Sequence, residues 1–165
     1  MTSALQTLET RIPPVLVTIL WANLMLGLSA LNTLPFSRNT VAVLLAIVAT
    51  LAGIGLILAG VLSFRKAQTT VNPHTPENSS ELVQSGIYAF TRNPMYVGFF
   101  LLLIGWGFVL ADVLALLSSY GFVMYMNRFQ IAPEERILEQ TFDTEYLLYR
   151  SRVRRWLWKD SQQPL

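Results

Sequence analysis

Residues 39–64 read NTVAVLLAIVATLAGIGLILAGVLSF, 26 consecutive residues without a charge between Arg38 and Arg65. A helix needs roughly 20 apolar residues to cross the hydrocarbon core of a bilayer. This run therefore predicts a transmembrane helix over residues 41–64. The 26 residues between Arg11 and Arg38 are equally uncharged and predict another over 12–31, opened by Pro13-Pro14. Proline suits the first helical turn, where its missing N–H is no loss. More spans follow, so residues 12–31 are not read as a signal peptide. Downstream, residues 94–111 and 113–127 are apolar and separated only by Asp112. A single buried helix of that length does not suit so small a chain. The segment 94–131 is therefore expected to be a tight helical hairpin, turning at Ala111-Asp112.

The whole composition agrees. Of 165 residues, 53% are hydrophobic and 13% charged, with a mean hydropathy of +0.45. Soluble domains carry about 25% charged residues. A net charge of +2 argues against a broad nucleic-acid surface. The absence of cysteine excludes a disulfide, a thiolate nucleophile and a zinc–thiolate site. With four spans, eleven of the twelve Lys and Arg residues share the side of both termini and the 65–93 loop, and Arg38 alone lies opposite. Positive charge marks the cytoplasmic side. The expectation is an all-α polytopic membrane protein, a single domain over 1–165, with both termini cytoplasmic. Gly53, Gly55 and Gly60 read as helix-packing positions.

The C-terminal part predicts a cytoplasmic or interfacial helical tail over 133–158. Pro133 and the acids Glu134 and Glu135 suit a helix start. Arg150 to Arg155 followed by Trp156 and Trp158 reads as an interfacial anchor, with arginines on lipid phosphates and tryptophans at headgroup depth.

Chemistry concentrates in residues 86–98, GIYAFTRNPMYVG. Asn93 is a good helix N-cap and Pro94 a good first helical residue. The following amides of Met95, Tyr96 and Val97 then face the cytoplasmic interface, and a helix start of this kind favours a carboxylate or phosphate. Gly86 permits an unusual backbone angle ahead of Tyr88, and Gly98 permits close approach one turn into the helix. The plainer alternative is a well-capped membrane helix with Arg92 snorkelling to phosphate. Glu134 and Glu135 point about 100° apart on a helix, so one can face a site while the other is solvated; both could equally be surface acids. Arg128, at the end of the fourth span, either snorkels or holds an anionic substrate group. His74, the only histidine, reads as a solvated loop residue.

These residues form a pattern. Thr69-Thr70-Val71-Asn72-Pro73, Leu82-Val83, Gly86-x-Tyr88 and Thr91-Arg92-Asn93-Pro94-Met95-Tyr96-Val97-Gly98 are followed by Asn127-Arg128-Phe129, Pro133-Glu134-Glu135 and Val153-x-Arg155-Trp156. Over residues 65–158 the chain resembles the isoprenylcysteine carboxyl methyltransferase family, closest to its small bacterial branch. The resemblance implies a bundle of membrane helices, here in a bacterial inner membrane, with S-adenosylmethionine bound on the cytoplasmic side. It implies cofactor contacts at Leu82, Val83, Gly86, Tyr88, Asn93, Pro94, Met95, Tyr96, Gly98, Glu134 and Glu135, and more weakly at Ser80 and Glu81. The acceptor would be a lipophilic small molecule or lipidated substrate reached through membrane lipids, oriented by Arg92 or Arg128. Many members carry His at the position of Asn93 and Gly at that of Asp143. Eukaryotic members place a substrate-binding Arg where Gln130 stands. Phospholipid-amine or small-thiol methylation, a reductase and a non-enzymatic membrane binding protein are the alternatives.

Overall fold

A computed structural model describes residues 12–31, 34–66 and 82–157. Five α-helices make up most of it: α1 Pro14–Ala30, α2 Thr40–Lys66, α3 Pro94–Leu110, α4 Val113–Met126 and α5 Ala132–Arg152. No strand occurs among the described residues; Pro35 and Asp112 form an isolated antiparallel bridge. Residues 69–73, His74, Ser80, Glu81 and Trp158 lie outside the described residues, as does most of the 65–93 loop.

Each uncharged run becomes a helix, with ends close to those expected. α1 starts on Pro14, and the Val17 amide donates to Pro13 O at 3.2 Å. α2 has 27 residues, which at 1.5 Å each is about 40 Å. It is the one described helix long and apolar enough to cross a membrane, while α1 and α3 are apolar helices of 17 residues. Val41, Leu44, Val48, Leu51, Leu58 and Leu62 leave a broad apolar flank of α2 exposed. A patch of that extent marks a lipid or protein contact.

α2 and α3 run antiparallel in close contact, because glycines remove side chains where the backbones meet. A Cβ on Gly98 would lie 2.6 Å from both Gly53 O and Ile57 Cγ1, and one on Gly60 2.7 Å from Met95 Cγ. Gly53 and Gly60 therefore pack as expected, whereas Gly55 faces open space.

The hairpin turns where expected. Ala111 takes a left-handed conformation (φ 57°), and Asp112 caps α4 by accepting the Ala115 amide at 2.9 Å. The other Asp112 oxygen accepts Leu34 N at 3.2 Å. Phe36 N donates to Ala111 O and Val113 N to Leu34 O, both at 2.9 Å, so the α1–α2 connection is stitched onto the hairpin turn. The core between α1, α3 and α4 is built from Val17, Met25, Val97, Leu103, Phe122 and Met126. Indole N–H groups of Trp21 and Trp106 donate to Ser118 O (2.8 Å) and Ala22 O (3.1 Å), so neither is an orphan in the apolar interior.

Two expectations fail in the C-terminal part. The tail helix does not begin afresh at Pro133. Instead α4 continues through a π-helical turn, Asn127–Ile131, directly into α5, with Ala132 N bonded to Asn127 O. A proline ring clashes with the carbonyl four residues back; the wider π turn accommodates Pro133 without ending the helix. Nor is Trp156 an exposed anchor residue. α5 stops at Arg152, Val153 is extended, and Trp156 is buried, its Nε1 donating to Asn127 Oδ1 at 2.9 Å. Arg155 bonds Glu135, and Arg150 bonds Glu139. The Arg/Trp composition is the same for a headgroup anchor and for an internal strap, and long-range pairing decides for the strap.

Candidate active site

The antiparallel arrangement brings the end of α2, the start of α3, the start of α5 and the 153–156 strap to one end of the bundle. Leading into it, Gly86 takes φ +64° and starts a 3-10 turn over Gly86–Ala89. That turn sets Tyr88 edge-on to Phe64 of α2 (5.3 Å between ring centres), with its hydroxyl beside Gly60. Tyr149 of α5 donates to Tyr88 O at 2.8 Å. Burial, with Tyr149 and Glu134 nearby, pushes the Tyr88 phenol upward, so it stays protonated. Leu82 and Val83 are buried, Leu82 within a cluster with Tyr146 and Tyr149.

The start of α3 differs from the expected cap. Asn93 occupies the N-cap position, but its side chain caps nothing; Nδ2 donates to Arg155 O at 3.0 Å. The Thr91 hydroxyl donates to the same carbonyl at 3.0 Å, and Arg92 N donates to Arg154 O at 2.8 Å. The strap therefore takes the polar side chains that would otherwise close the helix. Val97 N already bonds Asn93 O, so it is not a free amide. Met95 N and Tyr96 N have no acceptor among the described residues. Two amides, rather than three, remain for a partner.

Arg92 and Glu135 also depart from expectation. Arg92 is buried, NH1 bonding Arg150 O (3.1 Å) and Val153 O (2.6 Å) and NH2 bonding Glu135 Oε1 (2.8 Å). Arg155 takes Glu135 through Nε on Oε1 (3.1 Å) and NH2 on Oε2 (2.6 Å). Both Glu135 oxygens are thus engaged by guanidinium. Burial opposes ionisation of Glu135, but the bonds and charges of Arg155 and Arg92 outweigh it and hold the carboxyl below the usual carboxylate range. Arg92 is a strut between α3, α5 and the strap, and Glu135 is its counter-ion. Sequence spacing shows neither pairing, since the partners lie 43 and 20 residues apart.

Glu134, expected to be the facing or the solvated acid, faces the start of α3. Tyr96 donates to its Oε1 at 2.6 Å, and Oε2 accepts no bond among the described residues. Burial pushes its carboxyl up to about 8; the Tyr96 bond pulls it down by less, and the charge of Glu135 adds to the rise. Gly98 packs on α2 rather than lining this region. Arg128 is exposed at the π turn, its guanidinium carbon 5.4 Å from the centre of the Phe129 ring. Gln130 is buried, Nε2 donating to Ile12 O at 2.7 Å. Thr91, Tyr149 and Arg155 complete the region; Thr91 and Arg155 were legible as motif members but not as site builders.

The family model for phospholipid methyltransferases matches residues 41–145, from the start of α2 into α5. The chain belongs to the phospholipid methyltransferase family. This family includes the isoprenylcysteine methyltransferases, in agreement with the resemblance carried by residues 65–158. An uncharacterized protein of Haemophilus influenzae is 44% identical over 63 residues, covering 38% of this chain and all of that protein. The protein-S-isoprenylcysteine O-methyltransferase of Saccharomyces cerevisiae is 34% identical over 80 residues, covering 47% of this chain and 32% of that protein. The match thus spans about a third of the yeast enzyme's length. No solved structure matches. The matched region of this phospholipid methyltransferase family member contains Tyr88, Met95, Tyr96, Glu134 and Glu135. The apolar α2 helix and the family together indicate membrane association.

Proposed function

We propose that the chain is an S-adenosylmethionine-dependent methyltransferase that acts on a lipophilic acceptor at the cytoplasmic face of a membrane. The observation that carries this reading is the pair of amides at Met95 and Tyr96 that find no acceptor among the described residues, on the helix whose Tyr96 hydroxyl holds the Glu134 carboxyl, itself with one oxygen that accepts no bond among them. An amino-acid end, one carboxylate and one ammonium, is the chemistry such a donor set fits: the helix amides receive the carboxylate and Glu134 faces the cation. Leu82, Val83, Tyr88 and Pro94 would form the less polar wall, and Gly86 sets the turn that carries Tyr88. The cofactor supplies a methyl carbon already activated on a sulfonium. The protein's part is then orientation and exclusion of water, and orientation alone can contribute about 7–11 kcal/mol.

In this reading α1, α2 and the α3–α4 hairpin are four spans, residues 65–93 and both termini are cytoplasmic, and the membrane is a bacterial inner membrane. The C-terminal helix closes the site from the cytoplasmic side. Arg128 remains as the cation for an acidic acceptor such as an isoprenylcysteine carboxylate, which is ionised at neutral pH and needs no base. Withdrawal of Arg92 into the Glu135 pair supports a second reading, in which the acceptor is a phospholipid amine and no second arginine is required.

Calorimetric titration of the purified chain in detergent with S-adenosylmethionine and with NADPH tests the donor. Binding of the first alone is expected; binding of NADPH alone, or of neither, overturns the proposal. Transfer of labelled methyl to isoprenylcysteine, phosphatidylethanolamine and lipophilic thiols separates the acceptors. Arg128→Ala is expected to depress only the carboxylate reaction.

A further inference from the structure

Glu134 and Glu135 are adjacent, and the fold treats them oppositely. Glu135 pairs with two guanidinium groups, Arg92 on one side and Arg155 on the other. Glu134 receives only a neutral phenol, Tyr96 of α3. The other groups whose charge reaches it are the Tyr88 phenol, from the 3-10 turn, and Glu135 on its own helix. Neither phenol brings a positive charge, and Glu135 is an anion. Among the described residues no cation pairs with Glu134, so an ionised carboxyl here is both partly desolvated and uncompensated. Such a group holds its proton until a positive charge arrives.

We infer that Glu134 gives up one proton when the cationic methyl donor binds, so that occupancy of the site is coupled to proton release. This rests on the donor reading above. The balance is simple. The Glu134 O–H bond breaks, the proton leaves to the buffer, and the carboxylate that remains pairs with the ligand's positive charge. The Tyr96 hydroxyl keeps its bond to Oε1 and stabilises the carboxylate as it forms. The rise of the free carboxyl to about 8 places this exchange near neutral pH. The consequence is a binding site whose affinity follows the pH of the compartment that it faces. Below the midpoint the apparent affinity should rise by up to about tenfold per pH unit, and above it the curve should level.

The test uses the full chain in lipid nanodiscs, titrated calorimetrically with S-adenosylmethionine at pH 6.5, 7.5 and 9 in two buffers of different ionisation enthalpy. Close to one proton released at pH 6.5, falling toward zero at pH 9, is the expected result. The same titration on Glu134→Gln separates this proton from any contributed by the ligand's own amine: the variant should bind weakly and release none from this site. Tyr96→Phe, which leaves the packing intact, should shift the midpoint of the wild-type pH profile upward, because the bond it removes favours the carboxylate. Binding with identical proton counts in wild type and Glu134→Gln overturns the inference and leaves the donor reading standing. Absence of binding at every pH overturns both.

Discussion

The two ends of the bundle are built by different rules. At the α3–α4 turn, polar groups close on one another: Asp112 accepts from Ala115 N and Leu34 N, and residues 34–36 and 111–113 exchange two backbone bonds. At the opposite end the strap ties Thr91, Arg92 and Asn93 down, Glu135 holds two arginines, and yet Met95 N, Tyr96 N and one oxygen of Glu134 find no partner among the described residues. A turn needs only closure. A site needs rigid groups left without partners, and rigidity has to come from neighbours. The contrast teaches where to look for chemistry in a small bundle: at the end where natural caps are diverted.

The largest way to break this contrast is Glu135→Ala. It leaves buried Arg92 and partly buried Arg155 without their counter-ion, and breaking a buried pair typically costs about 3–5 kcal/mol. Thermal unfolding in detergent should show a deep fall in the midpoint; a change within scan error would mean that the arginine pair does not organise this end. The same carboxyl has a folded-state value below its unfolded one. Its contribution is therefore present above the unfolded value of about 4.5 and is lost as pH falls through the folded value. Glu135→Gln should lack that acid limb.

Next in size is the α2–α3 contact that carries the start of α3. Gly98→Ala pushes a methyl into Gly53 O and Ile57 and should cost about 1–3 kcal/mol. Gly55→Ala, facing open space on the same helix pair, should be neutral or stabilise by up to about 1 kcal/mol. Equal effects of the two on the unfolding midpoint would argue against the close helix approach.

Much of the fold was legible because charge placement and helix length are local. Uncharged runs gave α1 and α2 to within a few residues, and Asp112 alone marked the hairpin turn. Gly86 was legible too, since its left-handed backbone angle is a property of one residue. The site was only partly legible. Arg92 at a helix start reads equally as a phosphate contact or as a strut, and only a partner 43 residues away decides. Asn93 has the composition of a cap, but the Arg155 carbonyl draws its side chain elsewhere. Trp156 looks like a headgroup residue until its indole is seen on Asn127. The π turn is likewise a compromise between Pro133 and helix continuity that no local pattern displays.

At the closed end, Asp112→Ala should cost about 1–2 kcal/mol through the lost cap, well below Glu135→Ala. A larger loss there than at Glu135 would invert the contrast between the ends. The smallest expected effect has the opposite sign. Asp143 sits inside α5 at φ 40°, ψ −117°, a combination that glycine tolerates and other residues adopt under strain. Asp143→Gly should raise stability by about 1 kcal/mol, read as a higher unfolding midpoint.

The strap at residues 153–156 also sets an order of events during biosynthesis. When translation has reached Arg152, all five helices have been made, yet Thr91, Asn93 and Asn127 still lack their partners. Those partners, Arg155 and Trp156, follow the last helix in the chain. A nascent chain stalled or clipped before Arg155 would carry the helices without the fastening that rigidifies this end of the bundle, so the end is tied down only after the helices have been made.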